Sequence, residues 1–226
     1  MVTMSRSAAS GANDPWGRGR LRGLYAITPD WPDSRRLLDA TEAILAGGCR
    51  ILQYRNKAAG DCHRQEQAVA LRGLTRRYGA LLLINDDVDL CLYSEADGVH
   101  LGEEDGALAA ARDRLGAGRI LGASCYQSLD LARGAADAGV DYVAFGSFYS
   151  SSTKPLARRA DPGLLAAARD ETGLPVCGIG GITLDNAPPL LRAGADMLAV
   201  IAALYEAADP RLAAERFIQL FEEETP

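Results

Sequence analysis

Eight short apolar runs recur through this chain, each followed by a longer stretch of helical period. The runs are Leu24–Thr28, Ile51–Arg55, Leu81–Ile84, Gly98–Leu101, Ile120–Ser124, Tyr142–Gly146, Val176–Gly180 and Met197–Ala202. Most are apolar throughout rather than alternating, as strands covered on both faces by helices are. Helical spacing marks Ser34–Ala46, Asp61–Tyr78, Ala107–Leu115, Leu129–Ala138, Pro162–Glu171, Leu184–Arg192 and Pro210–Phe221, with a short and weakly marked helix at Asp87–Ser94. Glycines at Gly47-Gly48, Gly139 and Gly194 supply stop signals. The phrases Ala-Gly-Val-Asp (138–141) and Ala-Gly-Ala-Asp (193–196) read as two copies of one helix-to-strand corner. Eight β/α units in about 200 residues predict an α/β chain folded as a single (β/α)8 TIM barrel. A doubly wound open sheet is the alternative, but Pro29-Asp30-Trp31-Pro32 stands where that fold prefers a glycine-rich turn.

The 226 residues are 48% hydrophobic, enough for one sizeable core. A net charge of −6 lacks the basic footprint of a general nucleic-acid binder. No apolar run reaches the ~18 residues of a membrane span. Five cysteines, an odd number without a C-x-x-C, suit a reducing, cytoplasmic location better than a disulfide framework. Residues 1–22 are rich in Ser, Ala, Gly and Arg and lack the apolar centre of a signal peptide. They read as a flexible N-terminal tail, with a transit peptide as the alternative, ahead of a barrel over 23–226.

In such barrels the active site gathers at the C-terminal strand ends, and five polar clusters fall there. Gln53, Arg55 and Lys57 are two apart and share a face. An Arg and a Lys facing one pocket make an anion site; the alternatives are a solvated basic rim or a Schiff-base Lys57. Asn85-Asp86-Asp87 ends the third run, and Asp105 follows the fourth. Asp86 and Asp105 together suit Mg²⁺, although either carboxylate, or Asp87, also suits a helix cap. Ser150-Ser151-Ser152-Thr153-Lys154 offers dense donors for a phosphate, and Gly178-Ile179-Gly180-Gly181 lets backbone approach an anion. His100, inside an apolar run, reads as a satisfied core residue, and His63 as a surface one. No G-x-S-x-G occurs, so a serine hydrolase has no support.

In order and spacing these clusters resemble the thiamine phosphate synthase family, which also holds the thiazole tautomerases. The landmarks are Leu24-Tyr25-Ala26-Ile27-Thr28, Gln53-x-Arg55-x-Lys57, Ile84-Asn85-Asp86, Gly98-Val99-His100-Leu101-Gly102-x-Glu104-Asp105, Gly122-x-Ser124, Thr153-Lys154 and Gly178-Ile179-Gly180-Gly181-Ile182. The resemblance implies a transferase that joins an aminopyrimidine methyl diphosphate to a thiazole phosphate carboxylate or its tautomer, releasing pyrophosphate. It implies that Gln53, Tyr54, Arg55, Asn56, Lys57, Asn85, Ser124 and Lys154 bind the pyrimidine diphosphate, with Arg55, Lys57, Ser124 and Lys154 catalytic. It places Mg²⁺ on Asp86 and Asp105, and the thiazole phosphate on Ser151, Ser152, Thr153, Gly181, Ile201 and Ala202. Small phosphorylated molecules are the expected partners, without nucleic acid or membrane, and a homo-oligomer is left open. Glu103, Tyr126, Ser150 and Ala202 depart from the family's usual Gln, His, Pro and Ser. A tautomerase, which commonly carries His where Ser147 stands, and a non-catalytic precursor-binding protein are the competing readings.

Overall fold

A computed structural model describes residues 18–102, 107–150 and 159–224. Eight parallel strands close into a barrel in sequence order, with the last pairing the first. They are β1 (Gly23–Ile27), β2 (Ile51–Tyr54), β3 (Leu81–Asn85), β4 (Gly98–Leu101), β5 (Ile120–Tyr126), β6 (Tyr142–Phe145), β7 (Val176–Ile179) and β8 (Met197–Val200). The open-sheet alternative is thereby excluded. Around the barrel run α1 (Ser34–Ala46), α2 (Asp61–Arg77), α3 (Val88–Tyr93), α4 (Leu108–Leu115), α5 (Leu129–Asp137), α6 (Gly163–Thr172), α7 (Pro188–Arg192), α8 (Ala202–Tyr205) and α9 (Pro210–Glu224). Asp33, Asp87 and Ser128 cap α1, α3 and α5, each accepting the N–H three residues on.

Strand parity sorts the apolar residues into two cores. Residues such as Leu24, Leu52, Leu82, Val143 and Leu198 face the helices. Tyr25, Ile27, Ile51, Leu81, Leu83, Ile120, Tyr142, Cys177 and Met197 fill the barrel interior. The barrel is thus packed with side chains at its lower and middle levels, and chemistry is left to its mouth.

One corner device occurs three times on the floor. Asp97, Asp141 and Asp196 immediately precede β4, β6 and β8. Each accepts a backbone N–H from the strand before, from Leu82, Leu121 and Val176 respectively, all at 2.8 Å. Each also pairs with an arginine of an earlier helix: Arg72 of α2 at 2.6 Å, Arg112 of α4 at 2.5 Å and Arg169 of α6 at 2.5 Å. The Ala-Gly-x-Asp repeat in the sequence marks two of these staples.

Three boundaries differ from the sequence expectation. Arg18–Arg20 forms a 3-10 turn, and Leu21 is buried in the barrel interior cluster. Order therefore reaches back into the segment read as a tail. The helix expected from Leu184 begins only at Pro188. Asn186 accepts from the N–H of Thr183 and donates to the carbonyl of Gly181, holding the intervening residues in a turn. An unexpected short helix, α8, follows β8.

Candidate active site

The segment after β2 is held from the β1 side. Thr28, fully buried, donates through Oγ1 to the carbonyl of Arg55 and accepts from its N–H, both at 2.8 Å. Asp30 then takes Nη1 of Arg55 on both carboxylate oxygens, at 2.8 and 2.7 Å, and the N–H of Lys57 at 2.9 Å. Lys57 turns the other way, and its ammonium lies 2.8 Å from Asp86 at the end of β3. β2 ends at Tyr54, so both cations lie in the segment just beyond the strand, and they answer to different carboxylates, Arg55 to Asp30 and Lys57 to Asp86. Asp30 is a member of this cluster that sequence reasoning missed. Its position just beyond the first strand end was the available signal.

Asp86 has φ 64°, a left-handed conformation that Asp tolerates better than most residues, and its N–H donates to the His100 carbonyl at 2.9 Å. Lys57, Asn85 and Asp86, with Tyr54, Asn56 and Arg64, line a cleft of about 290 Å³. Asp87 is the cap of α3 and pairs with Arg64 at 2.8 Å, which leaves Asp86 as the carboxylate at the mouth.

Tyr54 and Asn56 are engaged in holding the loop. The Tyr54 hydroxyl donates to Gln67 on α2 at 2.8 Å, and burial pushes its pKa up to about 12. Asn56 donates to Gln67 and the Trp31 carbonyl and accepts from the N–H groups of Ala58 and Ala59. Both, expected as substrate ligands, line the cleft, with these polar atoms bonded within the protein.

Across the mouth, Ser124 lies 2.9 Å from Nε2 of His100. Nδ1 of His100 meets the Tyr142 hydroxyl at 2.8 Å, Tyr142 meets Tyr25 at 2.8 Å, and Nε2 of Gln53 donates to Tyr25 at 2.6 Å. Burial holds the imidazole neutral, lowering its pKa to about 4 against a smaller opposite pull from Asp86. His100 is the satisfied residue the sequence suggested, and its partner is a candidate ligand. The tyrosines Tyr25 and Tyr142 went unmarked as polar residues. A hydroxyl at an inward position of an apolar strand was the sign.

Gly180 and Gly181 have φ 103° and 62°. Cβ atoms there would meet Ser147 at 2.1 Å and the Ser150 carbonyl at 2.3 Å. The close approach they permit is to the loop after β6, which docks through Phe148 N–H to the Ile179 carbonyl and Tyr149 N–H to the Gly180 carbonyl. Ile201 caps α8, with Ala202 its first residue. Ser147 donates to the Tyr149 carbonyl at 2.7 Å. Asp105, Ser151, Ser152, Thr153 and Lys154 lie outside the described residues.

The cysteines are all free thiols, and burial raises the pKa of Cys91 and Cys125 to about 12, away from nucleophilic use. Lys57, 58% exposed and ion-paired, lacks the dry surroundings of a Schiff-base lysine. Among the described residues no three His, Cys, Asp or Glu side chains cluster as a metal cage. Mg²⁺ does not need one: a single hard carboxylate such as Asp86 suffices when substrate phosphate and water supply the remaining oxygens.

A parallel barrel with paired cations and carboxylates at its strand ends, above a buried polar interior, defines an enzyme for small anionic substrates. The family model described as thiamine monophosphate synthase matches residues 24–204, and the chain belongs to that family. A thiamine-phosphate synthase of Methylobacillus flagellatus is 57% identical over 201 residues, 89% of this chain and 96% of the relative. One from Thiobacillus denitrificans is 54% identical over 199 residues, 88% and 94% of the two chains. A solved thiamine phosphate pyrophosphorylase from Pyrococcus furiosus superposes with a TM-score of 0.82 at 37% identity, covering 92% of this chain and 99% of that one.

Proposed function

We infer that this chain joins an aminopyrimidine methyl diphosphate to a thiazole phosphate, giving thiamine phosphate and pyrophosphate. The observation that carries the reading is the grouping of Arg55, Lys57 and Asp86 at adjacent strand ends, in a chain 57% identical to a thiamine-phosphate synthase. Arg55 and Lys57 bind the diphosphate, and Lys154, which follows β6 in the sequence, is proposed as the third cation. Diphosphate departs readily once its charge is met by fixed cations. Gln53, Asn85 and Ser124 hold the pyrimidine diphosphate together with Tyr54 and Asn56, which line the cleft. Ser151, Ser152, Thr153, Gly181, Ile201 and Ala202 take the thiazole phosphate. The thiazole nitrogen then attacks the methylene carbon that the diphosphate has left. The chain needs no general base for this step; its tasks are charge and position.

Asp86 and Asp105 are the residues that would hold Mg²⁺, which supplies charge neutralisation to the leaving diphosphate. Lys57 pairs with Asp86 in this structure, and a cation held by that carboxylate would leave the ammonium for the anion. No helix among the described residues is long and apolar enough to cross a membrane. A cytoplasmic site of action is part of the proposal, supported by the five free thiols. A homo-oligomer is compatible with it. The tautomerase reading gains nothing from Ser147, whose hydroxyl is tied to a backbone carbonyl.

The test is to combine the purified protein, both phosphorylated halves and Mg²⁺, and to follow thiamine phosphate and pyrophosphate. Stoichiometric formation of both is expected; a well-folded protein that forms neither would defeat the reading. Asp86→Asn should lower kcat by about 100-fold or more, as loss of one electrostatic partner of a leaving group does. A fully active Asp86→Asn would remove Asp86 from the metal site.

A further inference from the structure

Five side chains from five strands form one hydrogen-bonded line through the barrel. In order they are Gln53 (β2), Tyr25 (β1), Tyr142 (β6), His100 (β4) and Ser124 (β5), linked at 2.6, 2.8, 2.8 and 2.9 Å. The four up to His100 are buried, at 2%, 1%, 0% and 8% exposure. Gly122 makes room for the line, because a Cβ there would lie 2.2 Å from Cζ of Tyr142 and 2.5 Å from its hydroxyl.

Proton counting gives the line a direction. Gln53 donates an N–H to Tyr25. Tyr25 must pass its own proton to Tyr142, since its hydroxyl meets no other acceptor among the described residues and an unmade buried bond costs about 1–3 kcal/mol. Tyr142 in turn donates to Nδ1 of His100. A neutral imidazole then carries its single proton on Nε2 and donates it to Ser124. The Ser124 hydroxyl, accepting from His100, keeps its own proton to donate, while Gln53, with Nε2 donating to Tyr25, keeps Oε1 as an acceptor. Reversing the direction requires the Gln53 amide to turn over and the imidazole proton to change nitrogen, so that four bonds flip together.

We propose that this line fixes a donor at Ser124 and an acceptor at Gln53, making His100 a positioning residue that selects the amino edge of the pyrimidine over an oxo edge. The inference rests on the pyrimidine diphosphate being the substrate. An aminopyrimidine offers an amino donor beside a ring-nitrogen acceptor, the complement of Gln53 Oε1 and the Ser124 hydroxyl. The oxo analogue offers a carbonyl beside a ring N–H, which meets acceptor with acceptor and donor with donor. A site built to hydrogen-bond one pattern rejects the other because its own groups are left unpaired.

The first experiment needs no substrate. The chain has two histidines, His63 and His100, so nitrogen-15 NMR of labelled protein assigns the His100 ring readily. Protonated Nε2 with unprotonated Nδ1 is expected, and the opposite tautomer overturns the proposal. The second experiment compares kcat/KM for the aminopyrimidine diphosphate and its oxo analogue. In Tyr142→Phe the ring loses the donor that sets its tautomer, and preference for the amino substrate should fall about tenfold, the worth of one hydrogen bond. Tyr205→Phe, which removes a buried hydroxyl bonded to Thr41, should leave the preference unchanged. An unchanged preference in a folded Tyr142→Phe overturns the proposal. Failure of the wild-type protein to turn over the natural pair would instead sink the substrate reading, and the tautomer measurement would stand apart from it.

Discussion

His100 shows how one burial decision sets several properties at once. Taken from water on β4, the ring stays uncharged, with its pKa down to about 4 from an ordinary 6.5. The unfolded ring binds a proton below about pH 6.5, whereas the folded ring does not until about pH 4. The stability contributed is therefore complete above 6.5 and is lost as pH falls toward 4, by about 3 kcal/mol in all. Urea denaturation of wild-type protein and His100→Asn across that range should show a gap that narrows with acidification; a constant gap contradicts it. The sequence placed His100 in the interior correctly, because an apolar run around it admits little else. It could not give the Tyr142 partner, 42 residues away, since contacts across the barrel depend on closure rather than on local pattern. Gly122 was legible as a landmark, and only the Tyr142 ring beside it explains why a side chain there has no room.

Among the elements, the seam between β1 and β2 does the most for the site. Thr28 brackets Arg55 from both sides of its backbone while Asp30 orients its guanidinium. Thr28→Val keeps the shape and removes both bonds, leaving a partly buried N–H and carbonyl of Arg55 without these partners. A loss of about 2 kcal/mol or more in stability is expected, together with a several-fold weaker affinity for pyrophosphate by calorimetry. Unaltered affinity would mean the seam does not position Arg55. The strands themselves were readable to within about two residues, as continuous apolar runs leave few other assignments. Helix α7 was not, because Leu184 carries the helical period but the Asn186 turn and the Pro188-Pro189 start override it. Gly180-Gly181, expected to let backbone approach a phosphate, also admits the close packing of the β6 loop. Glycine in a turn signals close approach without saying what approaches.

At the scale of the whole barrel, the aspartate–arginine staples bind the floor. Arg72 and Asp97 have side chains only 15% and 9% exposed. Asp97→Ala strips the charge from beside Arg72 and unpairs the Leu82 N–H, and should cost about 3–5 kcal/mol, read as a lowered midpoint in thermal or urea unfolding with the fold otherwise intact. Asp97→Asn, which retains an acceptor for Leu82, should recover part of that loss. A midpoint unmoved by Asp97→Ala would show the staple to be incidental. The sequence disclosed two of these corners as a repeated phrase, at 138–141 and 193–196. The third, at Asp97, lacks the Ala-Gly lead and became visible only through its geometry.

The staples also determine where this chain has joints. Each ties a helix to the next two strands: α2 to β3 and β4, α4 to β5 and β6, α6 to β7 and β8. The segments left between these blocks follow β2, β4 and β6, and they carry Arg55 and Lys57, then Asp105, then Lys154. Exchange of residues in those three stretches leaves every floor staple whole. The chain thus keeps its wearing parts and its foundations in separate places, so a new specificity can be tried at the mouth without re-founding the barrel beneath it.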